Sequence, residues 1–389
     1  MSPGRVHCAS PRVVRRFIGW GVVAENLWRQ REVPDAVASI RPMSELHRVS
    51  ARRSGWVWLI SLSPAGILRP CFGREQAGME LIRGRHNLRP HHRGCAATIG
   101  AFDGVHLGHQ AVLAHLTAEA HARDVQTTVV TFEPLPREYL RPLEAPPRIT
   151  TLRDKWPLLE ACGVDHVLCL PFNERLRQLS AREFVEQVFV EGLGVKYLAF
   201  GDDFRFGNRR EGDLDYVRAL ADEFGYAVAP TPTLEVAGAR ASSTRIRDAL
   251  AAADFDGAEQ LLGRPFELTG RVLHGRKLGR QLDAPTANIA LHRIRSPLHG
   301  VYAVNVWGGG LECAPGVANV GVKPTIGESL EATLEVHVLT GSPDLYGERL
   351  TVWFRHKLRD EQKFPSLDAL KAGIAMDKAN ATAWLAEHG

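Results

Sequence analysis

The spacing of apolar residues along the sequence changes near residue 263, and this change limits the folds that the chain can adopt. Before it, short apolar runs alternate with amphipathic stretches. Strands that alternate with helices predict a parallel, doubly wound α/β sheet of the Rossmann-like type, with ligands beyond the carboxyl ends of the strands. The predicted strands are residues 96–99, 127–132, 166–170 and 197–201, and the predicted helices are residues 110–122, 153–161, 181–190 and 214–223.

After Gly263-Arg264-Pro265 the pattern is of β-type runs separated by Gly, Pro and Asp. That spacing predicts an antiparallel β-barrel. A final amphipathic helix is expected over residues 366–385, capped by Ser366. We therefore predict a segment 1–78, an α/β domain 79–262 and a barrel domain 263–389. The predicted barrel strands are residues 266–272, 300–306, 316–320, 332–339 and 350–355.

The formal net charge of +4 is unevenly distributed. Residues 1–78 carry 12 arginines, no lysine and five acidic residues, a net charge of +7, whereas the other residues carry 36 basic and 39 acidic side chains. A nucleic-acid partner would have to be bound by that segment alone. The segment is either a targeting or RNA-binding arm or the result of a start assigned too far upstream of Met79. We favour the second interpretation and expect no nucleic-acid partner.

The cysteines and the apolar runs indicate a cytoplasmic protein. The six cysteines show no CxxC pair and no zinc-finger spacing, which suggests reduced thiols. The longest apolar run, residues 55–68, contains Pro64 and is shorter than the roughly 20 residues of a membrane span. We expect no membrane partner and at most weak homo-oligomers.

A first candidate site follows the first predicted strand, in the run Gly-Ala-Phe-Asp-Gly-Val-His-Leu-Gly-His at residues 100–109. Gly104 and Gly108 let a phosphate approach the backbone, and a helix N-terminus attracts anions. His106 and His109 place two imidazoles where charge develops on a nucleotide under attack. Two histidines three residues apart can also be a chance surface pair.

Two later motifs support a phosphate site. Phe-Gly-Asp-Asp-Phe-Arg-Phe-Gly at residues 200–207 ends a predicted strand, and Ser-Ser-Thr-Arg-Ile-Arg at residues 242–247 begins a helix. A turn with solvated aspartates and an ordinary helix cap are the alternative interpretations. Hydroxyls and a guanidinium at a helix start also suit a triphosphate.

In this order, the three motifs resemble the adenylyltransferase module of the bacterial bifunctional riboflavin kinase/FAD synthetases. The resemblance implies that His106, His109 and Arg247 stabilise charge during attack on ATP. It places Asp203 near the nucleotide and FMN, as a flavin-binding residue. The residues implied in binding ATP or its phosphates are Gly100, Phe102, Asp103, Gly104, Gly108, Ser243 and Thr244.

A second candidate site lies in the barrel segment. The basic loop His-Gly-Arg-Lys-Leu-Gly-Arg at residues 274–280 can cradle phosphates, or it is a basic hairpin. Thr286 and Asn288, in Pro-Thr-Ala-Asn, offer hard oxygens for Mg²⁺, or they form a turn. Glu335 lies on an alternating strand, either as a general base or as a solvated side chain.

These segments resemble the riboflavin kinase module of the same family. The resemblance implies that Gly275, Arg276, Lys277 and Gly279 bind ATP, that Thr286 and Asn288 bind Mg²⁺-ATP, that Glu335 activates the riboflavin hydroxyl and that Arg359 contacts flavin. The implied reactions are phosphorylation of riboflavin to FMN and adenylylation of FMN to FAD, each with ATP. A nucleotidyltransferase with another acceptor and a nucleic-acid-binding protein are the competing functions.

One departure from the family pattern precedes Thr286. The family usually carries Gly-Phe before Pro-Thr-Ala-Asn, whereas this chain has Asp283-Ala284. The missing aromatic ring and the added negative charge predict a kinase that is slower or more dependent on Mg²⁺. Normal kinase turnover at low Mg²⁺ would contradict this expectation.

Overall fold

The computed structural model describes residues 59–62, 68–71, 78–201, 204–231, 233–273, 286–293, 295–324, 330–341 and 343–388. In the Arg-rich segment it describes two short antiparallel strands, β1 (Leu59–Leu62) and β2 (Leu68–Cys71). The cysteines with described side chains, Cys95, Cys162, Cys169 and Cys313, are not in disulfides. Within the described residues, no helix combines the length and the apolarity of a membrane span.

The first large unit is a parallel six-stranded sheet, which confirms the predicted α/β class. Its strand order is β3-β6-β5-β4-β7-β8. The two edge strands β3 and β8 were not predicted; each has only four residues, and most of these residues are exposed or half-buried. The strands are β3 (Glu80–Arg83), β4 (Ala96–Ile99), β5 (Thr127–Glu133), β6 (His166–Pro171), β7 (Tyr197–Phe200) and β8 (Ala227–Pro230).

Helices connect these strands, and two more helices follow the sheet. The predicted helix at 181–190 begins as an α-helix and continues as a π-helix over Val185–Val190. A small hairpin, β9 (Glu235–Val236) and β10 (Ala239–Arg240), precedes the last two helices. The helices are α1 (Leu107–Ala122), α2 (Pro136–Leu140), α3 (Leu152–Ala161), α4 (Glu174–Arg177), α5 (Ala181–Phe184), α6 (Leu214–Phe224), α7 (Ser243–Ala251) and α8 (Phe255–Leu262).

The second unit is a closed antiparallel barrel, as the sequence predicted, with the order β11-β12-β15-β14-β13-β16. The final helix α9 (Leu367–His388) packs Ala381 and Leu385 against Ala303 on the barrel. The barrel strands are β11 (Glu267–Leu273), β12 (Ala287–Ala290), β13 (Gly300–Gly308), β14 (Leu311–Pro324), β15 (Leu330–Val338) and β16 (Arg349–Arg359).

The two units share one hydrophobic cluster. Buried side chains of α7 and α8, among them Ile246 and Leu261, belong to the same cluster as the barrel residues Tyr302 and Phe354. The ring of Phe255, at the start of α8, lies 5.9 Å from that of Tyr302 and 6.2 Å from that of Phe354. Packing therefore continues across the change of architecture at residue 263.

Candidate active sites

The loop 100–106 joins the carboxyl end of β4 to the first turn of α1. Because β4 lies between β5 and β7 inside the sheet, the loop sits where doubly wound sheets bind ligands. His106 is the N-cap residue of α1, and His109 lies in its first turn. Their rings stack, with centroids 3.7 Å apart, and the ring of Phe102 lies 4.9 Å from that of His109.

Hydrogen bonding defines the tautomer of His106. The backbone N–H of His109 donates to Nδ1 of His106 at 3.3 Å. In the neutral ring, the proton of His106 therefore lies on Nε2, which is left as a donor. Nδ1 of His109 is buried and has no hydrogen-bond partner among the described residues.

Burial keeps both imidazoles neutral at pH 7. It lowers the pKa of His106 to about 4, with smaller contributions from three nearby arginine charges and an opposing one from Asp103. Burial, reinforced by His106, also lowers the pKa of His109 well below its ordinary value. The pair is thus a set of neutral donors in a desolvated site, where hydrogen bonds to developing charge are strong.

Two glycines allow the close packing of this loop. Gly104 has φ +87°, and a Cβ there would lie 3.2 Å from Cγ2 of Ile149. A Cβ on Gly108 would lie 3.1 Å from the ring of His106 and 3.2 Å from the carbonyl oxygen of Ala241. Both glycine positions expected from the sequence therefore have a steric reason.

Asp103, which is buried, and Arg247, which is half-buried, form an ion pair at the base of the loop. The carboxylate of Asp103 accepts hydrogen bonds from the backbone N–H of Ile149 at 3.1 Å and of Thr150 at 2.9 Å, and from the guanidinium of Arg247. Ser243 donates through Oγ to the carbonyl oxygen of Asp103 at 2.8 Å. These side chains hold the loop, and their contacts with ATP phosphates stay predictions.

The other residues expected at this site differ in their environment, and one of them is not described by the structure. Gly100 donates its N–H to the carbonyl oxygen of Val130 at 3.0 Å, which continues the sheet into the loop. Thr244 is exposed in the first turn of α7. Asp203 lies outside the described residues.

In the barrel, three polar side chains form one row across neighbouring strands. Glu335 on β15 is opposite Asn288 on β12 and opposite Asn319 on β14. Opposite residues in antiparallel strands have Cβ atoms about 5 Å apart. The row faces away from the barrel core, because Leu334 and Val336 on either side of Glu335 are buried in that core.

Asn319 was missed as a site residue by sequence reasoning. Its Nδ2 donates to Glu361 at 3.4 Å, whereas its Oδ1 is buried without a partner among the described residues. The available signal was one amide between apolar residues in Val317-Ala318-Asn319-Val320, on the face opposite the core. Thr286 is half-buried two residues before Asn288, where strand alternation places it on the same face.

Arg359, expected to contact flavin, makes a bidentate ion pair with Asp377 of α9. The two nitrogen to oxygen distances are 2.8 and 2.7 Å. The ion pair ties β16 to α9, and a flavin contact of Arg359 stays a prediction. The loop residues Gly275, Arg276, Lys277 and Gly279 lie outside the described residues.

Two basic side chains packed against the loop 100–106 were also missed as site residues. Lys155 on α3 is buried and donates to the carbonyl oxygen of Ala101 at 2.6 Å, and burial lowers its pKa. Arg264 donates to the carbonyl oxygen of Gly104 at 2.8 Å. The sequence offered only the predicted helix 153–161, which contains Lys155, and the change of pattern at Gly263-Arg264-Pro265.

Comparisons with known proteins match both units. The family model described as FAD synthetase matches residues 88–245, and the one described as riboflavin kinase matches residues 262–385. A protein of Pseudomonas fluorescens, named bifunctional riboflavin kinase/FMN adenylyltransferase, is 55% identical over 305 residues, which are 78% of this chain and 97% of its own length. A protein of Escherichia coli K12 with the same name is 48% identical over 304 residues, with the same coverage of 78% and 97%.

Among solved structures, a Streptococcus pneumoniae protein described as a macrolide-efflux protein is similar, with a TM-score of 0.62 and 28% identity. The similarity covers 79% of this chain and 99% of that one.

Proposed function

This chain belongs to the family of bifunctional riboflavin kinases/FMN adenylyltransferases, and we propose that its two reactions take place at the two sites described above. The enzyme phosphorylates riboflavin to FMN with ATP and adenylylates FMN to FAD with release of pyrophosphate. The observation that supports the assignment of the adenylyl site best is the stacked pair His106 and His109 at the carboxyl end of β4.

In the adenylyl transfer, a phosphate oxygen of FMN attacks the α-phosphorus of ATP, and the bond from that phosphorus to pyrophosphate breaks. Negative charge develops on the α-phosphate and on the leaving pyrophosphate. Nε2–H of His106 is a preorganised donor toward this charge, and His109 is the second. Arg247 adds positive charge beside them while paired with Asp103.

In the kinase reaction, Glu335 accepts the proton of the riboflavin 5′-hydroxyl. The hydroxyl oxygen attacks the γ-phosphorus of ATP, and the bond to the β-phosphate oxygen breaks, which yields FMN and ADP. The row Asn288, Glu335 and Asn319 supports this assignment, because it places a carboxylate between two amides on one face. The loop 275–279 is proposed to hold the ATP phosphates.

The barrel site has the donors that Mg²⁺ requires. Thr286 and Asn288 offer hydroxyl and amide oxygens, and the buried Oδ1 of Asn319 has no partner among the described residues. Hard oxygen ligands of this kind fit Mg²⁺. We propose that Thr286 and Asn288 hold the ion, which when bound neutralises charge on the ATP phosphates.

We propose the boundaries 79–262 and 263–389 for the two catalytic domains, with residues 1–78 outside them. A cytoplasmic location and the absence of nucleic-acid and membrane partners stay predictions. The effect of Asp283-Ala284 on the Mg²⁺ requirement also stays a prediction, because both residues lie outside the described ones.

A complementation experiment tests the assignment of two separate sites. With riboflavin, ATP and Mg²⁺, the variant His106→Ala should stop at FMN, and Glu335→Gln should convert riboflavin about 10²- to 10⁴-fold more slowly than the wild type. Mixing the two variants should restore FAD, since FMN released by the first is adenylylated by the second. His121→Ala, in the last turn of the same helix α1, is the matched control and should make FAD normally. FAD formation from riboflavin at the wild-type rate by either variant alone would contradict the assignment.

A further inference from the structure

We propose that Arg264, which directly follows the change of architecture at residue 263, is a positioning residue for adenylyl transfer that holds the strained loop 102–105 in its reactive shape. This inference rests on the proposed role of that loop in adenylyl transfer. It means that the barrel segment completes a site whose histidines lie on the parallel sheet.

The loop has an unusual backbone conformation. Phe102 has φ 46° and Val105 has φ 41°, with Gly104 between them at φ 87°. Positive φ is uncommon for residues other than glycine, and for a β-branched residue such as Val105 it is an outlier. Strain of this kind persists only where the surroundings determine the conformation.

Side chains from several elements hold this backbone conformation by donating hydrogen bonds to the carbonyl oxygens of the loop. Lys155 of α3 donates to Ala101, Ser243 of α7 to Asp103, and Gln110 of α1 to Val105. The N–H of Gly104 donates to Oγ1 of Thr150 at 2.8 Å. Each of these anchors belongs to the α/β segment that also carries the histidines.

Arg264 is the anchor from the other side of the boundary. It donates to the carbonyl oxygen of Gly104 at 2.8 Å, and at 3.4 Å to those of Val105 and Leu262. Its exposed fraction is 8%, and burial lowers its pKa to about 10, so it remains a cation at pH 7. A buried guanidinium bound to carbonyl oxygens fixes their positions, because leaving them unpaired is costly.

A second arginine of the barrel segment supports the same loop through residues 148–150. Arg293 is buried, donates to the carbonyl oxygens of Arg148 at 3.1 Å and Ile149 at 3.3 Å, and pairs with Asp154. The N–H groups of Ile149 and Thr150 in turn donate to the carboxylate of Asp103. The barrel segment thus supports the loop directly through Arg264 and indirectly through Arg293.

Arg264 also acts on the electrostatics of the site. The charged and titratable groups that face His106 are Asp103, Arg264, Arg240, Arg247 and the stacked ring of His109. The positive charge of Arg264 disfavours protonation of His106. Removing that charge should move the acidic limb of the adenylylation pH profile to higher pH, an effect that loss of packing alone does not predict.

The test compares Arg264→Ala and Arg264→Lys with the matched control Arg295→Ala. Arg295 also crosses between the units, but it donates to the exposed turn at Leu143. FAD formation from FMN and FMN formation from riboflavin are measured in the same samples. For Arg264→Ala we expect kcat of adenylylation to fall about 10²-fold, with KM for FMN and ATP and the kinase rate little changed. Arg264→Lys should be intermediate, and Arg295→Ala should match the wild type.

Unchanged kcat for FAD formation in a folded Arg264→Ala variant would overturn the proposal, as would a rise in KM alone. If Arg264→Ala fails to fold, judged by thermal unfolding, Arg264→Lys decides. A selective fall in its adenylylation kcat, with KM, the kinase rate and the acidic limb little changed because lysine keeps the positive charge, supports the proposal, and a wild-type kcat overturns it. A wild-type enzyme that makes no FAD would refute the proposed function instead.

Discussion

At the residue scale, the protonation of His106 links the adenylyl site to the stability of the fold. Its pKa in the folded protein is about 4, whereas an unperturbed histidine titrates near pH 6.5. Between these values the unfolded chain binds a proton that the folded chain does not. The free energy of unfolding should therefore be fully retained above pH 6.5 and should fall as the pH drops toward 4.

We predict that this one histidine costs on the order of 2 kcal/mol of stability at pH 5 relative to pH 7. Urea unfolding of the wild type and of His106→Asn at the two pH values measures it. The variant should lose less stability on acidification than the wild type. Equal losses in the two proteins would show that His106 titrates normally in the folded state.

Residue types were predictable from the sequence, but their partners were not. The spacing of His-Leu-Gly-His identified His106 and His109, because it places both imidazoles between the first predicted strand and the first predicted helix. Arg247 was also identified, yet its partner Asp103 lies 144 residues away in the sequence. Only the fold places the start of α7, at Ser243, beneath the loop. Sequence reasoning therefore assigned Arg247 and Asp103 to ATP alone and did not pair them with each other.

At the element scale, the barrel face that carries Glu335 should control FMN formation. Replacing this carboxylate removes a general base, and such groups contribute about 10²- to 10⁴-fold. We predict that Glu335→Gln lowers FMN formation from riboflavin by about that factor and leaves FAD formation from supplied FMN unchanged. Glu312→Gln, on β14 near the β13–β14 turn, is the matched control. Equal kinase rates for Glu335→Gln and Glu312→Gln would exclude Glu335 as the base.

The ion pair between Arg359 on β16 and Asp377 on α9 allows experiments to separate a structural role of Arg359 from a role in binding flavin. The side chain of Asp377 is 8% exposed and that of Arg359 is 25% exposed, so breaking the pair leaves a largely buried charge. Asp377→Asn and Arg359→Ala should each lower the free energy of unfolding by about 2 kcal/mol. If Arg359 also contacts flavin, only Arg359→Ala raises KM for riboflavin. An unchanged KM in both variants would leave Arg359 with the structural role alone.

Regular elements with continuous apolar runs were predicted closely, and edge elements were not. The strand 96–99 was predicted with the bounds that the structure gives to β4, because all four residues are buried. The edge strand β3 has four residues, of which one is buried, and periodicity cannot distinguish so short a segment from a loop. The row formed by Asn288, Glu335 and Asn319 needs strand register, which a single sequence does not provide.

At the scale of the whole molecule, residues 79–389 should suffice for both reactions. The curated relatives match 78% of the chain and 97% of their own length. We predict that a variant starting at Met79 keeps both turnover numbers within about twofold, since both sites and the shared cluster lie after that residue. A folded variant that has lost flavin turnover would show that the Arg-rich segment is functional.

The shared cluster and the buried arginines also make the two units one assembly. Sequence reasoning placed a boundary near residue 263 from the change of pattern, but it could not predict that Arg264 and Arg293 reach back to the loop of the first unit. Those contacts join residues about 140 to 160 positions apart in the sequence. Which residues come into contact depends on how the barrel is placed against the sheet.

The most direct test of the central claim is incubation of the purified chain with riboflavin, ATP and Mg²⁺, followed by separation of the flavins over time. FMN should appear first and FAD should follow as FMN is consumed, with ADP and pyrophosphate as the other products. The formation of neither FMN nor FAD by folded protein would contradict the account.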